Sequence, residues 1–246
     1  MNRILAVWRK EMAVQLVSPS LYGIAAVFLV VTGLNFWKLS VESAGTPTAM
    51  SVLLFGPMFF WIITLALITA LTMRSFAEET RSGSLELLMT APLSDVDLVG
   101  GKFSAALTLF ALILLPTAGY PWILRACSSG VWSVDEMQVV MGLAGVLLMG
   151  AFYTSIGVLI SALSRGPVLA ALGIFAALSL IFFLDAFWYA GPSGSVQRFL
   201  DYASAIQHVM DFSRGILDSR AVLFYLSGTG LMVFMTVKAI ESKRWR

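Results

Sequence analysis

Apolar residues run along this chain in long blocks, and polar residues are confined to the gaps between them. A bilayer-spanning helix needs roughly 20 mostly apolar residues, because each adds about 1.5 Å to a hydrocarbon core about 30 Å thick. Six stretches meet this requirement, at about Leu21–Trp37, Ala49–Met73, Leu98–Leu124, Gln138–Leu163, Pro167–Ala190 and Ala221–Ile240. The pattern therefore predicts an all-α integral membrane protein with six transmembrane helices in a single transmembrane domain, residues 1–246. Most connections are short, and "SRGP" at Ser164–Pro167 reads as a tight turn between neighbouring spans. Three polar segments are long enough to hold structure of their own: residues 1–19, 74–94 and 191–220.

In the first of these, "NRILAVWRKEMAVQL" places Ile4, Leu5, Trp8, Met12 and Leu16 on one helical face. Arg3, Arg9 and Lys10 fall across the other, where Val7 and Val14 interrupt the polar side. Ser18 and Pro19 then stop that helix and start the next. Such a segment predicts an interfacial helix in the headgroup region, with Trp8 at the interface and its cations toward anionic lipid. A plain membrane anchor fits the same pattern. In the third segment Phe199, Ala203, Ile206, Met210 and Leu217 recur at helical spacing, punctuated by Arg198, Asp201, His208 and Asp211. A short interfacial helix is expected there.

Composition strengthens the membrane reading. The chain is 59% hydrophobic and 12% charged, with a mean hydropathy of +0.87. A soluble domain is nearer a quarter charged, so one aqueous core cannot hold these side chains. A net charge of +2 is too weak to argue for nucleic acid. The placement of cations says more. With both termini assigned to the cytoplasm, eleven of the sixteen Lys and Arg residues fall in inner segments and five in outer ones. The positive-inside rule thus predicts cytoplasmic termini, a cytoplasmic 74–94 loop and an extracytoplasmic 191–220 loop.

Few catalytic constellations survive. The "GK" at Gly101–Lys102 has Val96 where a phosphate-binding loop needs its first glycine and Phe103 where it needs Ser or Thr. Ser94 and Asp97 instead suit a capping box that opens the third span. Lys102, one turn inside, is expected to snorkel to the inner surface; a substrate contact is the alternative. One histidine, His208, and one cysteine, Cys127, do not make a zinc site. No nucleophile elbow is present. Glu78-Glu79-Thr80-Arg81 evokes intramembrane glutamic proteases, but the arginine comes too early and the partner histidines are missing. Within the predicted spans Asp185 is the one clear acid, and such residues usually mark pathways.

The stretch "RSFAEETRSGSLELLMTAPLS" (Arg74–Ser94) reads differently. Phe76-Ala77-Glu78-Glu79 extends the second span, Gly83 breaks it, and Ser84 caps a short helix with Leu85, Leu88 and Met89 on one face. Pro92 ends that helix. The expected product is an elbow with an apolar ridge and a carboxylate cluster, suited to a groove on another protein. An ordinary solvated loop would carry the same charges.

This stretch, followed by "GK", resembles the first cytoplasmic loop of ABC-2-type transport permeases. That loop carries Arg-x-x-x-Glu-Glu-x-x-x-Gly-[ST]-x-Glu-x-Leu-x-[ST]-x-Pro-[ILV]-[ST]. The tail "HVMDFSRGILDSRAVLFYLSGTGLMVFMTVKAIESKRWR" is similar to the subgroup named after gliding-motility permeases, with Arg-Gly-x-x-Asp-x-Arg before a last span. The resemblance implies a multi-pass permease of the bacterial inner membrane, working as a homodimer or heterodimer. A separate ATP-binding subunit would bind ATP and Mg, so this chain would bind no cofactor and catalyse nothing itself. Glu78, Glu79, Arg81, Gly83, Leu85, Glu86, Met89 and Pro92 would form the coupling surface for that subunit, together with the N-terminal helix. His208, Arg214, Gly215, Asp218 and Arg220 match the outer motif, which leaves room for an extracytoplasmic accessory protein. Export of a substrate is the expected activity. A non-transporting component that passes ATPase-driven movement to envelope partners is the alternative, and an intramembrane protease is a distant one. Gly56-Pro57, Pro116, Pro121, Gly142 and Gly145 would allow close packing or kinks in the spans.

Overall fold

The computed structural model describes residues 3–43, 50–84, 94–127, 135–189 and 204–244, and no strand occurs among them. The first helices are α1 (Arg3–Val17), α2 (Pro19–Glu42), α3 (Met50–Phe55), α4 (Met58–Thr72) and α5 (Ala77–Ser82). They are followed by α6 (Asp95–Leu114), a 3₁₀ turn (Leu115–Gly119), α7 (Tyr120–Cys127) and α8 (Glu136–Leu163). The chain ends with α9 (Pro167–Tyr189), α10 (Ala205–Ser213) and α11 (Ser219–Arg244). Six stretches are long and apolar enough to cross a membrane: Pro19–Glu42, Met58–Ser82, Asp95–Cys127, Glu136–Leu163, Pro167–Asp185 and Ser219–Lys243. The chain is a multi-pass membrane protein.

The expected second and third spans are each interrupted at proline. Gly56 and Pro57 separate α3 from α4, because Pro57 has no N–H to give and its ring displaces the preceding turn. Pro116 tightens the third span into the 3₁₀ turn before α7. Tyr120 spans this kink by donating to the Leu29 carbonyl at 2.8 Å, which ties it to α2.

Helix α8 is the axis of the bundle, packed by α4, α6, α9, α10 and α11, while α2 lies on α4 and α1 on α6. Small residues make these approaches possible. A Cβ on Gly142 would fall 2.7 Å from the Phe55 ring and one on Gly145 would fall 2.9 Å from Phe212, while at Gly150 it would strike Phe110. Close approach is the main source of helix association in lipid, where burying apolar surface gains little. Aromatic rings fill the centre: Trp61 stacks on Phe182 at 5.8 Å, and Phe60 meets Phe55 edge-on at 5.4 Å. The hydroxyls of Thr64, Thr69 and Thr72 are satisfied locally, each donating to the carbonyl one turn back.

Six spans return the chain to the face where it began. There Val7, Phe76, Leu98, Val99, Val158, Ala162 and Ile240 form one apolar cluster. We call this the terminal face; α3 and α10 lie at the opposite, far face.

Candidate functional site

The terminal face gathers three segments around one cation. Helix α6 begins with the expected capping box: Ser94 Oγ accepts from the Asp97 N–H at 3.1 Å and Asp97 accepts from the Ser94 N–H at 3.3 Å. Two turns later Lys102 is 3% exposed. It does not snorkel to solvent. Its Nζ donates to Glu11 Oε1 of α1 and to Glu79 Oε1 of α5, each at 2.8 Å. The Phe76 ring lies 5.1 Å away on a further side, a cation–π contact in a desolvated setting. An ammonium this deep needs paired charge, since an uncompensated one costs several kcal/mol. The arrangement explains why a lysine tolerates this depth.

Helix α1 completes the site by docking on α6. Gly101 makes the notch: a Cβ there would lie 2.6 Å from Val7, so no larger residue fits without moving α1. Val7 and Met12 are the buried residues of α1. The expected apolar face is thus rotated. Ile4, Leu5 and Leu16 stay 40–41% exposed, and Val7, which seemed to interrupt the polar side, is the contact residue. Trp8 is half-buried, and its indole N–H donates to Thr108 of α6 at 3.2 Å. Arg3, Arg9 and Lys10 remain exposed. The helical-wheel reading took lipid as the only partner and could not foresee a span.

Between α4 and α5 the chain turns at Met73–Phe76 and leaves N–H groups without helical partners. Ser161 of α8 supplies them. Its Oγ accepts from the Phe76 and Ala77 N–H groups at 3.1 and 3.2 Å and donates to the Met73 carbonyl at 3.2 Å. One hydroxyl therefore fixes the elbow to the central helix. Glu78 points outward and pairs with Arg74 at 3.9 Å, both more than half exposed. Arg81 is exposed as well. Gly83 takes φ 73°, a left-handed conformation that ends α5 as expected. Leu85, Glu86, Met89 and Pro92 of the expected coupling surface lie outside the described residues.

Of the coupling residues named from sequence, Glu78, Glu79, Arg81 and Gly83 come together on α5. Only Glu79 faces inward. Glu11, Lys102 and Ser161 complete the site and were missed. A lysine one turn inside a span signals a required counter-charge, but nothing local names Glu11, 91 residues away, as that partner.

At the far face the outer motif builds a turn. Gly215, at φ 82°, donates to Phe212 O at 2.9 Å and Ile216 to Asp211 O at 2.9 Å, a Schellman closure of α10. Arg214 lies 3.9 Å from Asp211, and Asp218 accepts from the Arg220 N–H at 2.9 Å at the start of α11. Helix α10 does not lie flat on a surface. Ala205, His208, Val209, Phe212 and Ser213 are buried, whereas Ile206 and Met210 of the expected stripe are only half-buried. Leu217 is exposed beyond the helix, and Phe199 and Ala203 lie outside the described residues. Ser51 of α3 donates to the Ser213 carbonyl. Asp185 accepts from the Ile206 N–H at 2.9 Å, so it caps the positive end of α10. His208 meets the ring of Tyr225 edge-on at 5.6 Å. Burial pushes its imidazole below the ordinary range, against the pull of Asp218, Asp185 and Asp211. His208 Nδ1 and the hydroxyls of Tyr153 and Tyr225 are buried without a protein partner.

Among the described residues no group of three or more His, Cys, Asp or Glu side chains could hold a metal ion. No curated protein matches the chain. The family model described as ABC-2 family transporter protein matches residues 5–235, from α1 into α11. That match takes in the first five spans and most of the sixth, and the chain belongs to the ABC-2 transporter family as a membrane component.

Proposed function

We propose that this chain is the permease subunit of an ABC transporter of the bacterial cytoplasmic membrane, pairing with a second permease chain and exporting a substrate. The terminal face would be cytoplasmic and would dock a separate ATP-binding subunit on α5, α1 and residues 85–93. ATP and Mg would be held by that subunit, and this chain would do no chemistry of its own. The observation that carries the reading is the Glu11–Lys102–Glu79 triad. It joins the elbow and α1 to the start of α6, so a push on exposed Glu78 and Arg81 moves all three together. Ser161 extends the link into α8. Work delivered at one face thereby reaches the axis of the bundle, as a bias between two conformations. The partnerless hydroxyls of Tyr153 and Tyr225 and the Nδ1 of His208 support a polar path among the spans rather than a sealed core.

The test uses the exposed pair, because Glu79 also holds the fold. Glu78→Ala with Arg81→Ala is expected to insert and purify normally while losing the co-purifying ATPase and its stimulation. Unchanged ATPase recovery and turnover would sink the docking reading. The mechanical alternative gains one observation: α10 is anchored to α3 and α9 by Ser51 and Asp185, so span movement reaches the far face directly. Retained ATPase coupling without flux of any substrate in sealed vesicles would favour it.

A further inference from the structure

Beside the triad, a cleft of about 310 Å³ opens between α1, α2, α4 and α5. Its floor includes Glu11, Glu79 and Lys102, and Lys10, Arg74 and Glu78 also line it. The floor carries one formal negative charge in excess, because Lys102 alone faces two carboxylates. Among the described residues Glu79 Oε2 is buried and accepts no hydrogen bond, although its Oε1 is held by Lys102. A desolvated carboxylate oxygen with no donor is costly, so the cleft favours a ligand that brings N–H groups to it. Lys10 and Arg74 are exposed, and so offer cationic groups nearer the mouth. An amine inside and an anion outside is the charge order the cleft accepts.

The walls name the rest of the ligand. Val14, Leu21, Ile24, Ala70 and Leu71 give the remaining sides an apolar part, beside the polar Gln15, Ser18, Ser20 and Ser75. A second groove, of about 240 Å³, follows the seam of α2 and α4 and is lined by Gly23, Val27, Phe28, Ile63 and Leu67. Ile24 and Ala70 line both, so cleft and groove adjoin. The groove runs along two membrane spans, where only a hydrocarbon chain would follow it. A basic side chain from a protein partner could satisfy Glu79, but it has nothing to lay along the seam.

We infer that this cleft binds a phospholipid whose headgroup ends in a primary amine. The ammonium pairs with the excess carboxylate charge of Glu11 and Glu79 at the floor, the phosphate lies toward Arg74 and Lys10, and an acyl chain occupies the α2–α4 seam. The site is independent of the ATPase reading, since it needs no second subunit.

The test is native mass spectrometry of the full chain, delipidated in detergent and titrated with phosphatidylethanolamine, phosphatidylcholine or phosphatidylglycerol. The ethanolamine lipid is expected to bind about tenfold more tightly than either of the others, because only it brings a cationic N–H donor to Glu79 while presenting a phosphate. Two variants separate the parts. Glu79→Gln removes the charge under the amine. Gly23→Leu places a side chain in the seam, and a Cβ on Gly23 meets nothing within 4 Å, so the added group starts in open space. Glu79→Gln is expected to abolish the tenfold preference, whereas Gly23→Leu is expected to weaken all three lipids alike, since they share the acyl chain. Equal binding of the three lipids would overturn the inference as ordinary annular lipid. A preference kept in Glu79→Gln, or affinities for all three lipids left unchanged in Gly23→Leu, would also overturn it, because the headgroup or the acyl chain would then lie elsewhere. No ATPase is present in the measurement, so its outcome leaves the coupling test untouched.

Discussion

Replacing Lys102 by methionine keeps most of the unbranched side chain and removes its ammonium, with both charge and N–H donors. In the native structure the side chain is 2% exposed, and its two ion pairs at 2.8 Å involve carboxylates only 14% and 15% exposed. Removing one partner of a buried pair typically costs about 3–5 kcal/mol, because the other charge stays buried without compensation. Here two carboxylates are left facing one another, which places the variant at the upper end of that range. For a chain of this size about 2–4 °C of melting temperature accompanies each kcal/mol, so a fall of about 10–20 °C is expected. Glu11→Gln and Glu79→Gln together with Lys102→Met should recover most of the loss, since a neutral set of similar shape carries no unpaired charge. Thermal unfolding of the purified variants in one detergent, followed by intrinsic tryptophan fluorescence, reads both numbers. If Lys102→Met melts within about 2 °C of the native chain, or if the triple variant is no better than the single, the triad does not hold this face together.

Three further outcomes follow from other parts of the structure. Ser161→Ala leaves the Phe76 and Ala77 N–H groups without their side-chain acceptor and should cost about 2 kcal/mol. Hydrogen exchange should rise at the 73–77 turn while the centre of α8 keeps its protection, and uniform protection would refute the staple. Gly150→Ala drives a methyl into Phe110 and should cost about 1–3 kcal/mol, with partial rescue by Phe110→Leu. A neutral effect of the single change would mean the helices can separate freely there. His208 is held neutral by burial, so the less compact state takes up its proton first. Stability from this group is complete above an ordinary imidazole pKa of about 6.5 and declines as the pH falls below that value toward the lower native one. His208→Gln should flatten the acid side of a melting-temperature profile, and an unchanged slope would show that other groups set it.

The six spans were legible because the bilayer imposes a length and a polarity that composition alone can meet, and Ser94 with Asp97 marked the start of α6 to the residue. Gly83 was legible for a local reason, as it occupies a left-handed position at a helix end; Gly215, named only for its place in the outer motif, takes the same conformation. What could not be read were pairings across distance. Val7 lay on the wrong side of a wheel drawn for lipid, since its partner is Gly101 of another helix. Lys102 was expected to reach for water because nothing near it in sequence offered a carboxylate at the right height. Asp185 was a candidate for a pathway and proves to hold the end of α10, a role that depends on where a later helix begins. The bound of a proline's effect was also hidden: Pro57 and Pro116 broke their spans, while Pro121 lies within the first turn of α7, where its missing N–H costs nothing.

Glu11, Glu79 and Lys102 all lie within the first 102 residues, whereas Ser161 arrives with α8. The ribosome therefore delivers every charge of the triad before the fourth span has been made. A nascent chain of three spans already holds the means to neutralise its one deeply placed ammonium. The Phe76 and Ala77 amides wait longer for their acceptor. The terminal face is thus assembled in two steps set by the order of synthesis, an electrostatic closure followed by a hydrogen-bonded one. A chain stalled in the segment before α8 would contain the first without the second.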